Sequence, residues 1–202
     1  MRRVAVIDYG MGNLRSVQKA FEHLGFIADV TDDDEVLKRA DGAVLPGVGA
    51  FADCMTGLTE TGLIPHIRDF VASGRPFLGI CLGLQLLFES STEGGAHTGL
   101  GLLAGQVVEL PADRKIPHMG WNNLKVLRAQ PLFAGLPEEA YVYFVHSFHA
   151  QPADPSVIAA TTDYGIPVTA AVQNGNLYAT QFHPEKSGDV GLHILRNFGG
   201  LL

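Results

Sequence analysis

Phe77-Leu78-Gly79-Ile80-Cys81-Leu82-Gly83-Leu84-Gln85-Leu86-Leu87-Phe88 is apolar throughout except for one glutamine, and its reading decides the fold. Residues 76–80 predict a strand covered on both faces, residues 82–88 predict a helix, and Cys81 stands at the junction. Glycine on both sides of that cysteine is what a sharp strand-to-helix turn requires, because side chains there would collide. The turn pushes the thiol out of the sheet and sets it at a helix N-terminus, where the positive end of the helix dipole favours an anionic nucleophile. A cysteine in an apolar strand can also be plain core filling, which is the reading given to Cys54.

Working upstream, short β-branched runs alternate with helical patterns, the signature of βαβ units and a parallel sheet covered on both faces. Val4 to Ile7 predict the first strand. Asn13 is placed to cap a helix carrying Leu14, Val17, Ala20, Phe21 and Leu24 on one stripe, ended by Gly25. Phe26 to Val30 form a second strand, Asp32 to Arg39 a short helix and Ala43 to Leu45 a third strand. Pro65 sits early in a helix that runs to about Ser73.

Downstream of Gly94 the pattern changes to strands and turns: Gln106 to Leu110, Tyr141 to Ala150, Val157 to Thr162, Val168 to Gln173 and Leu177 to Phe182. This half is expected to be largely antiparallel. Asn174-Gly175 predicts a type I′ hairpin, and a helix from Ser187 to Asn197 closes the chain. The expectation is one α/β domain over residues 1–202, with three layers: a central, mostly parallel sheet flanked by helices, and antiparallel strands in the C-terminal half.

With 202 residues, 47 % hydrophobic and 17 % charged, the chain has the usage of an ordinary globular domain that buries a full core. A net charge of −7 with scattered Lys and Arg leaves no basic stripe for phosphates, so nucleic acid is not an expected partner. Two cysteines do not make a disulfide framework, and a reducing cytosol is the natural setting. The N-terminal apolar stretch is too short for a signal peptide, and the longest apolar run falls short of the roughly 20 residues a membrane helix needs. A soluble, cytoplasmic protein without a membrane partner is expected.

Gln181-Phe182-His183-Pro184-Glu185 follows a strand, and i, i+2 spacing on an extended backbone places His183 and Glu185 on one side. Cys81 as nucleophile, His183 as base and Glu185 as the group that orients the base fill the three roles of a triad. Pro46-Gly47-Val48-Gly49 closes the third strand, and the N–H groups of Val48 and Leu82 are placed to form an oxyanion hole. Each segment has a plainer alternative, a solvated His-Pro-Glu turn or an ordinary Gly-rich turn. Gly10-Met11-Gly12-Asn13 lacks the third glycine of a dinucleotide fingerprint, so no cofactor is expected. His146 and His149, three apart on a strand, point to opposite faces and make no metal pair. His23, His66 and His193 read as surface or capping residues, and His97 and His118 as loop residues. Trp121, in a polar loop, is a candidate interface anchor or a side chain tucked onto the core.

Taken together, the G-x-C-x-G elbow and the late His-Pro-Glu resemble the class I (triad) glutamine amidotransferases. Segments 8–14, 45–51, 118–122, 144–148 and 182–187 follow the family's order over nearly the whole chain. The resemblance implies hydrolysis of glutamine through a γ-glutamyl thioester on Cys81. It implies that glutamine is held by Gly49, Gln85, Glu93 and the backbone around His146, Ser147 and Phe148, with Glu93 suited to the substrate ammonium. Phe148 stands where relatives often carry Tyr, so a hydroxyl there is absent. The segments are most similar to members that pass ammonia to a separate (β/α)8-barrel cyclase subunit in histidine biosynthesis, as a heterodimer. In such members rotation of the Gly47–Val48 peptide is the usual candidate switch. Residue chemistry alone leaves open another biosynthetic glutaminase subunit or a free-standing cysteine hydrolase of γ-glutamyl substrates.

Overall fold

The computed structural model describes residues 2–202. In chain order the elements are β1 (Arg3–Ile7), α1 (Leu14–His23), β2 (Ile27–Thr31), α2 (Asp34–Arg39), β3 (Gly42–Gly47), α3 (Phe51–Thr61), α4 (Ile64–Ala72), β4 (Phe77–Cys81) and α5 (Leu82–Leu86). They continue with β5 (Phe88–Ser91), β6 (His97–Thr98), β7 (Leu103–Glu109), β8 (His118–Asn123), β9 (Lys125–Val126), β10 (Tyr141–His146), β11 (Phe148–Pro152), β12 (Ile158–Asp163), β13 (Pro167–Asn174), β14 (Leu177–Thr180) and α6 (Gly188–Gly200).

The main sheet has eight strands in the order β2-β1-β3-β4-β14-β13-β12-β9. Pairing is parallel from β2 through β14 and antiparallel from β14 to β9. Side chains of a strand alternate between faces, and here the alternation feeds two cores. Ala5, Ile7, Ala43, Leu45 and Phe77 pack with Leu37 of α2, Phe51 and Leu58 of α3 and Ile67 and Phe70 of α4. Val4, Val6, Val44, Leu78 and Ile80 pack on the other side with Phe21 of α1 and Ile194 and Phe198 of α6. The sheet is therefore the middle of three layers, as expected. Each large apolar side chain buried this way contributes on the order of 1.5–3 kcal/mol, which is why these strands carry almost nothing polar. A four-stranded sheet, β11-β7-β5-β6, and the β8–β10 pair complete the molecule.

Several expectations are corrected. The helix after Cys81 ends at Leu86, and Phe88 opens β5, because the Leu87 carbonyl accepts from Leu102 and Leu103 N–H and Phe88 pairs with Leu103. Residues 141–150 are two strands broken at Ser147, one paired with β8 and the other with β7. His97 and His118 lie in strands rather than loops. Asn13 opens α1 without a side-chain cap bond. The hairpin exists one residue further on: Asn174 pairs with Leu177, and Gly175 takes the positive φ (58°). That is the type II′ pattern. Asn176 follows in the turn, with its side-chain amide tied to the Val71 and Arg75 carbonyls at 2.9 and 2.7 Å. No helix among the described residues is long and apolar enough to cross a membrane.

Candidate active site

The parallel strands β3, β4 and β14 end side by side, with Gly47 opposite Cys81 and Thr180 opposite Ile80. Residues just beyond those carboxyl ends converge on a crevice, the usual location of ligand sites in open α/β sheets. The crevice holds a cavity of about 310 Å³ lined by Val48, Gly49, Cys81, Leu82, Gln85 and Glu93 on one wall. Val145, His146, Ser147, Phe148, His183, Lys186 and Pro117 complete it. Every residue expected to bind substrate or to supply an oxyanion donor lines this cavity. Glu185 stands behind it.

Cys81 has φ 55° and ψ −108°, and it is the one non-glycine residue with positive φ among the described residues. Such strain persists only where the surroundings dictate it. A Cβ on Gly79 would lie 2.7 Å from the Gly83 carbonyl oxygen, and one on Gly83 would lie 1.8 Å from the Leu45 carbonyl oxygen. The glycines flanking the cysteine therefore let α5 descend onto β3 and β4 and turn the thiol outward. α5 is only five residues long, so the dipole it adds at Cys81 is small.

Gly47 packs against the same elbow: a Cβ there would meet the Gly83 nitrogen, the Leu82 Cβ and the Tyr9 hydroxyl, each at 2.8 Å. The Tyr9 hydroxyl donates to the Pro46 carbonyl at 2.8 Å, and the Cys54 thiol to the Val48 carbonyl at 3.5 Å. The carbonyls on either side of Gly47 are thus both held from below. Cys54 is buried in α3, the core position expected of it, and burial first of all pushes its pKa up to about 11.

His183 does not sit on an extended stretch with Glu185. Pro184 to Lys186 form a 3-10 turn, which bends the carboxylate back so that Glu185 Oε1 meets His183 Nδ1 at 2.8 Å, with both side chains nearly fully buried. The backbone of His183 is clamped in turn. Its N–H donates to the Tyr143 carbonyl at 3.0 Å and its carbonyl accepts from Ser187 Oγ at 2.6 Å, while that oxygen accepts from Tyr143 N–H at 3.0 Å. With Nδ1 committed, Nε2 is left buried without a hydrogen-bond partner. Burial works against a charged ring, but the Cys81 sulfur and the Glu185 carboxylate outweigh it and push the His183 pKa up to about 9.

Glu93 Oε2 accepts from Phe51 N–H at the start of α3 at 2.9 Å. Gln85 gives its amide nitrogen to the Phe148 carbonyl (3.0 Å) and to Gln181 Oε1 (3.2 Å). Gln181 in turn presents its amide nitrogen to the Cys81 sulfur at 3.8 Å. Gln181, Pro117 and Lys186 received no role from the sequence. Gln181 carried a signal nonetheless, since it lies two residues before His183 on the same strand exit. His146 and His149 belong to different strands, and among the described residues no group of three or more His, Cys, Asp or Glu side chains is placed to hold a metal ion. Trp121 is not tucked onto the core: it is 57 % exposed on β8 beside Met119 at 62 %.

A strained cysteine beside a buried, carboxylate-oriented histidine, in a small cavity lined by both apolar and polar side chains, can form and cleave a thioester. The family model of the class-I glutamine amidotransferases matches residues 5–200. The chain is 57 % identical to the imidazole glycerol phosphate synthase subunit HisH of Syntrophotalea carbinolica, covering 98 % of this chain and all of that one. It is 52 % identical to the subunit of the same name from Moorella thermoacetica, over 100 % of this chain and 96 % of that one. Among solved structures, PurLQS from Thermotoga maritima superposes with a TM-score of 0.80 at 21 % identity, over 98 % of each chain, a likeness of fold.

Proposed function

Since the chain belongs to the class-I glutamine amidotransferases, we propose that it is the glutaminase subunit of an imidazole glycerol phosphate synthase. In that role it hydrolyses glutamine to glutamate and ammonia for histidine biosynthesis. Full-length identity to subunits bearing that name supports the reading. The observation that carries the chemistry is the buried His183 between Cys81 and Glu185.

In this proposal the Cys81 thiolate attacks the side-chain carboxamide of glutamine, and the N–H groups of Val48 and Leu82 receive the developing oxyanion. Gly49, Gln85, Glu93 and the segment His146, Ser147 and Phe148 hold the substrate. Glu93 keeps one carboxylate oxygen free for the substrate ammonium after accepting Phe51 N–H. His183, charged at neutral pH because its pKa is near 9, gives its proton to the departing nitrogen and ammonia leaves. Acylation then removes the negative sulfur that helped hold the ring charged, so the pKa of His183 drops when a general base is needed. Neutral His183 activates water on the thioester, and Glu185 keeps the ring oriented through both steps. Residues 1–202 act as one amidotransferase domain in the cytoplasm, without a cofactor. The ammonia passes to a (β/α)8-barrel cyclase subunit.

The test is glutamate release from glutamine by this chain alone, then with the cyclase subunit and its nucleotide ligand, beside Cys81→Ala. Low activity alone, strong stimulation by the liganded partner and none in Cys81→Ala are expected. Robust activity indifferent to that partner points to another glutaminase or a free-standing hydrolase, and turnover by Cys81→Ala would refute the mechanism.

A further inference from the structure

His118 and His146 are both buried and face each other across the β8–β10 pair, where they are register partners. His118 Nδ1 and His146 Nε2 lie 2.9 Å apart, so one nitrogen must carry a proton and the other must not. The direction is fixed at both ends by backbone carbonyls, which only accept. At one end His146 Nδ1 is 2.8 Å from the Phe148 carbonyl and must be protonated. Its Nε2 is then bare, and the proton between the rings belongs to His118 Nδ1. At the other end the Asn122 amide nitrogen donates to the Asp163 carbonyl at 2.8 Å and reaches His118 Nε2 at 3.3 Å. That nitrogen is therefore bare, which again leaves the proton of His118 on Nδ1. A second proton on either ring would set donor against donor, and burial, the main cause, keeps both rings below their ordinary range, His118 at about 4 and His146 at about 3.

The chain continues into the cavity. The Phe148 carbonyl that accepts from His146 also accepts from Gln85 Nε2 at 3.0 Å. This turns the Gln85 amide so that its Oε1 is the end left over, buried and without a partner, in a residue that lines the cavity. The same orientation makes Gln181 Oε1 the acceptor and points Gln181 Nε2 at the Cys81 sulfur. One connected network thus joins Asn122 to the reactive thiol, with the Phe148 carbonyl accepting from both His146 and Gln85.

We propose that His118 is a positioning residue for the glutaminase site. It locks the His146 tautomer whose Nδ1–H holds the Phe148 carbonyl in place, and that carbonyl turns Gln85 to present an acceptor to a substrate N–H and Gln181 to present an N–H to the Cys81 sulfur. The proposal rests on the glutaminase reading. It also places the positioning residue on the strand that exposes Met119 and Trp121, one residue away from the face expected to meet the partner.

The experiment joins NMR and kinetics on the complex with the cyclase subunit. Long-range 1H–15N correlation of histidine-labelled protein should show two neutral rings, each protonated on Nδ1. Protons on Nε2, or a charged ring at pH 7, overturn the proposal whatever the activity. His118→Phe keeps a ring for the stacking on Phe144 and Tyr164 at 4.7 and 4.0 Å but removes both nitrogens. The variant should lose the single His146 tautomer and raise KM for glutamine about fivefold, the worth of one neutral hydrogen bond, with kcat falling by a smaller factor through the weakened Gln181 contact to Cys81. An unchanged KM in a folded variant refutes the positioning role. A wild-type complex that releases no glutamate refutes the glutaminase reading instead, and the tautomer signals still test the chain of protons.

Discussion

Replacing Gly83 and Gly200 by alanine makes the same chemical change in two helical glycines, and the structure separates their outcomes. In an isolated helix either substitution is favourable by up to about 1 kcal/mol. At Gly200, exposed at the end of α6, a Cβ meets nothing within 4 Å. At Gly83 it would lie 1.8 Å from the Leu45 carbonyl oxygen and 2.9 Å from the Leu45 carbonyl carbon, so α5 and β3 must separate by roughly 1.2 Å to reach the 3.0 Å that real contacts respect. Leu45 is in β3, which is paired on both sides by β1 and β4, and it does not yield, so α5 moves. Overpacking of that kind costs about 1–3 kcal/mol, and for a domain of this size each kcal/mol moves Tm by about 2–4 °C. Gly83→Ala should melt roughly 5–10 °C below Gly200→Ala, which should match or slightly exceed the wild type. Displacing Cys81 and the Leu82 N–H by about 1 Å should also lower kcat on the order of a hundredfold. Thermal unfolding by circular dichroism and glutamate release in the complex read both effects. Equal melting temperatures, with Gly83→Ala keeping kcat within twofold, would show that the close approach of α5 to β3 does not constrain the elbow.

Glu185→Gln keeps the shape of the side chain beside His183 but removes its charge. The histidine then titrates below about 9, and kcat should fall about ten- to a hundredfold, the difference between a charge-assisted and a neutral hydrogen bond acting on a proton transfer; an unaltered kcat from pH 6 to 9 would count against the orienting role. Because the folded pKa of His183, about 9, lies above its ordinary 6.5, its contribution to stability is complete below pH 6.5 and disappears as pH rises through 9. From pH 6 to 10 the wild type should lose up to about 3 kcal/mol more than His183→Asn in urea unfolding, and parallel losses in the two proteins would contradict the shift. Trp121, 57 % exposed with its ring centroid 6.1 Å from that of Tyr143 in a T-shaped arrangement, is the candidate anchor for the cyclase subunit. Trp121→Ala should weaken association by about 2 kcal/mol, roughly thirtyfold in Kd, while Tm stays within about 2 °C; unchanged affinity by calorimetry would place the contact elsewhere.

The parallel half was legible because its inner strands are buried on both faces, and the two cores they feed leave apolar residues at successive positions. The helix α3 was not. Ala50 offers no side-chain cap, and the helix carries Gly57 and several threonines, of which Thr56 and Thr59 bond back to the Ala52 and Met55 carbonyls. Such residues are weak helix formers, and Phe51, Cys54 and Leu58 hold the helix down by tertiary burial instead. The hairpin lies one residue later than the local signal places it, because the hold of the Val71 and Arg75 carbonyls on the Asn176 amide is not a local property of the turn.

The candidate site divides along the same line. Gly79, Cys81 and Gly83 announce the elbow because each glycine answers a backbone atom only a few residues away or in the next strand. His183 and Glu185 lie two apart, and the 3-10 turn that joins them needs little beyond Pro184. His118 and His146 are 28 residues apart, in strands whose sequences lack a clean apolar alternation. Only the antiparallel register of β8 with β10 makes them neighbours. Gln181 shows why such partners are hard to read in advance. Along Gln181-Phe182-His183, alternation sends Phe182 into the core against Phe144, with ring centroids 5.8 Å apart, and turns Gln181 and His183 the other way, toward Cys81. The histidine was recognisable because its chemistry is intrinsic to its side chain. The glutamine has an acceptor and a donor and no preference between them, so its role depends on which end the Phe148 carbonyl leaves free, a fact that resides two hydrogen bonds away.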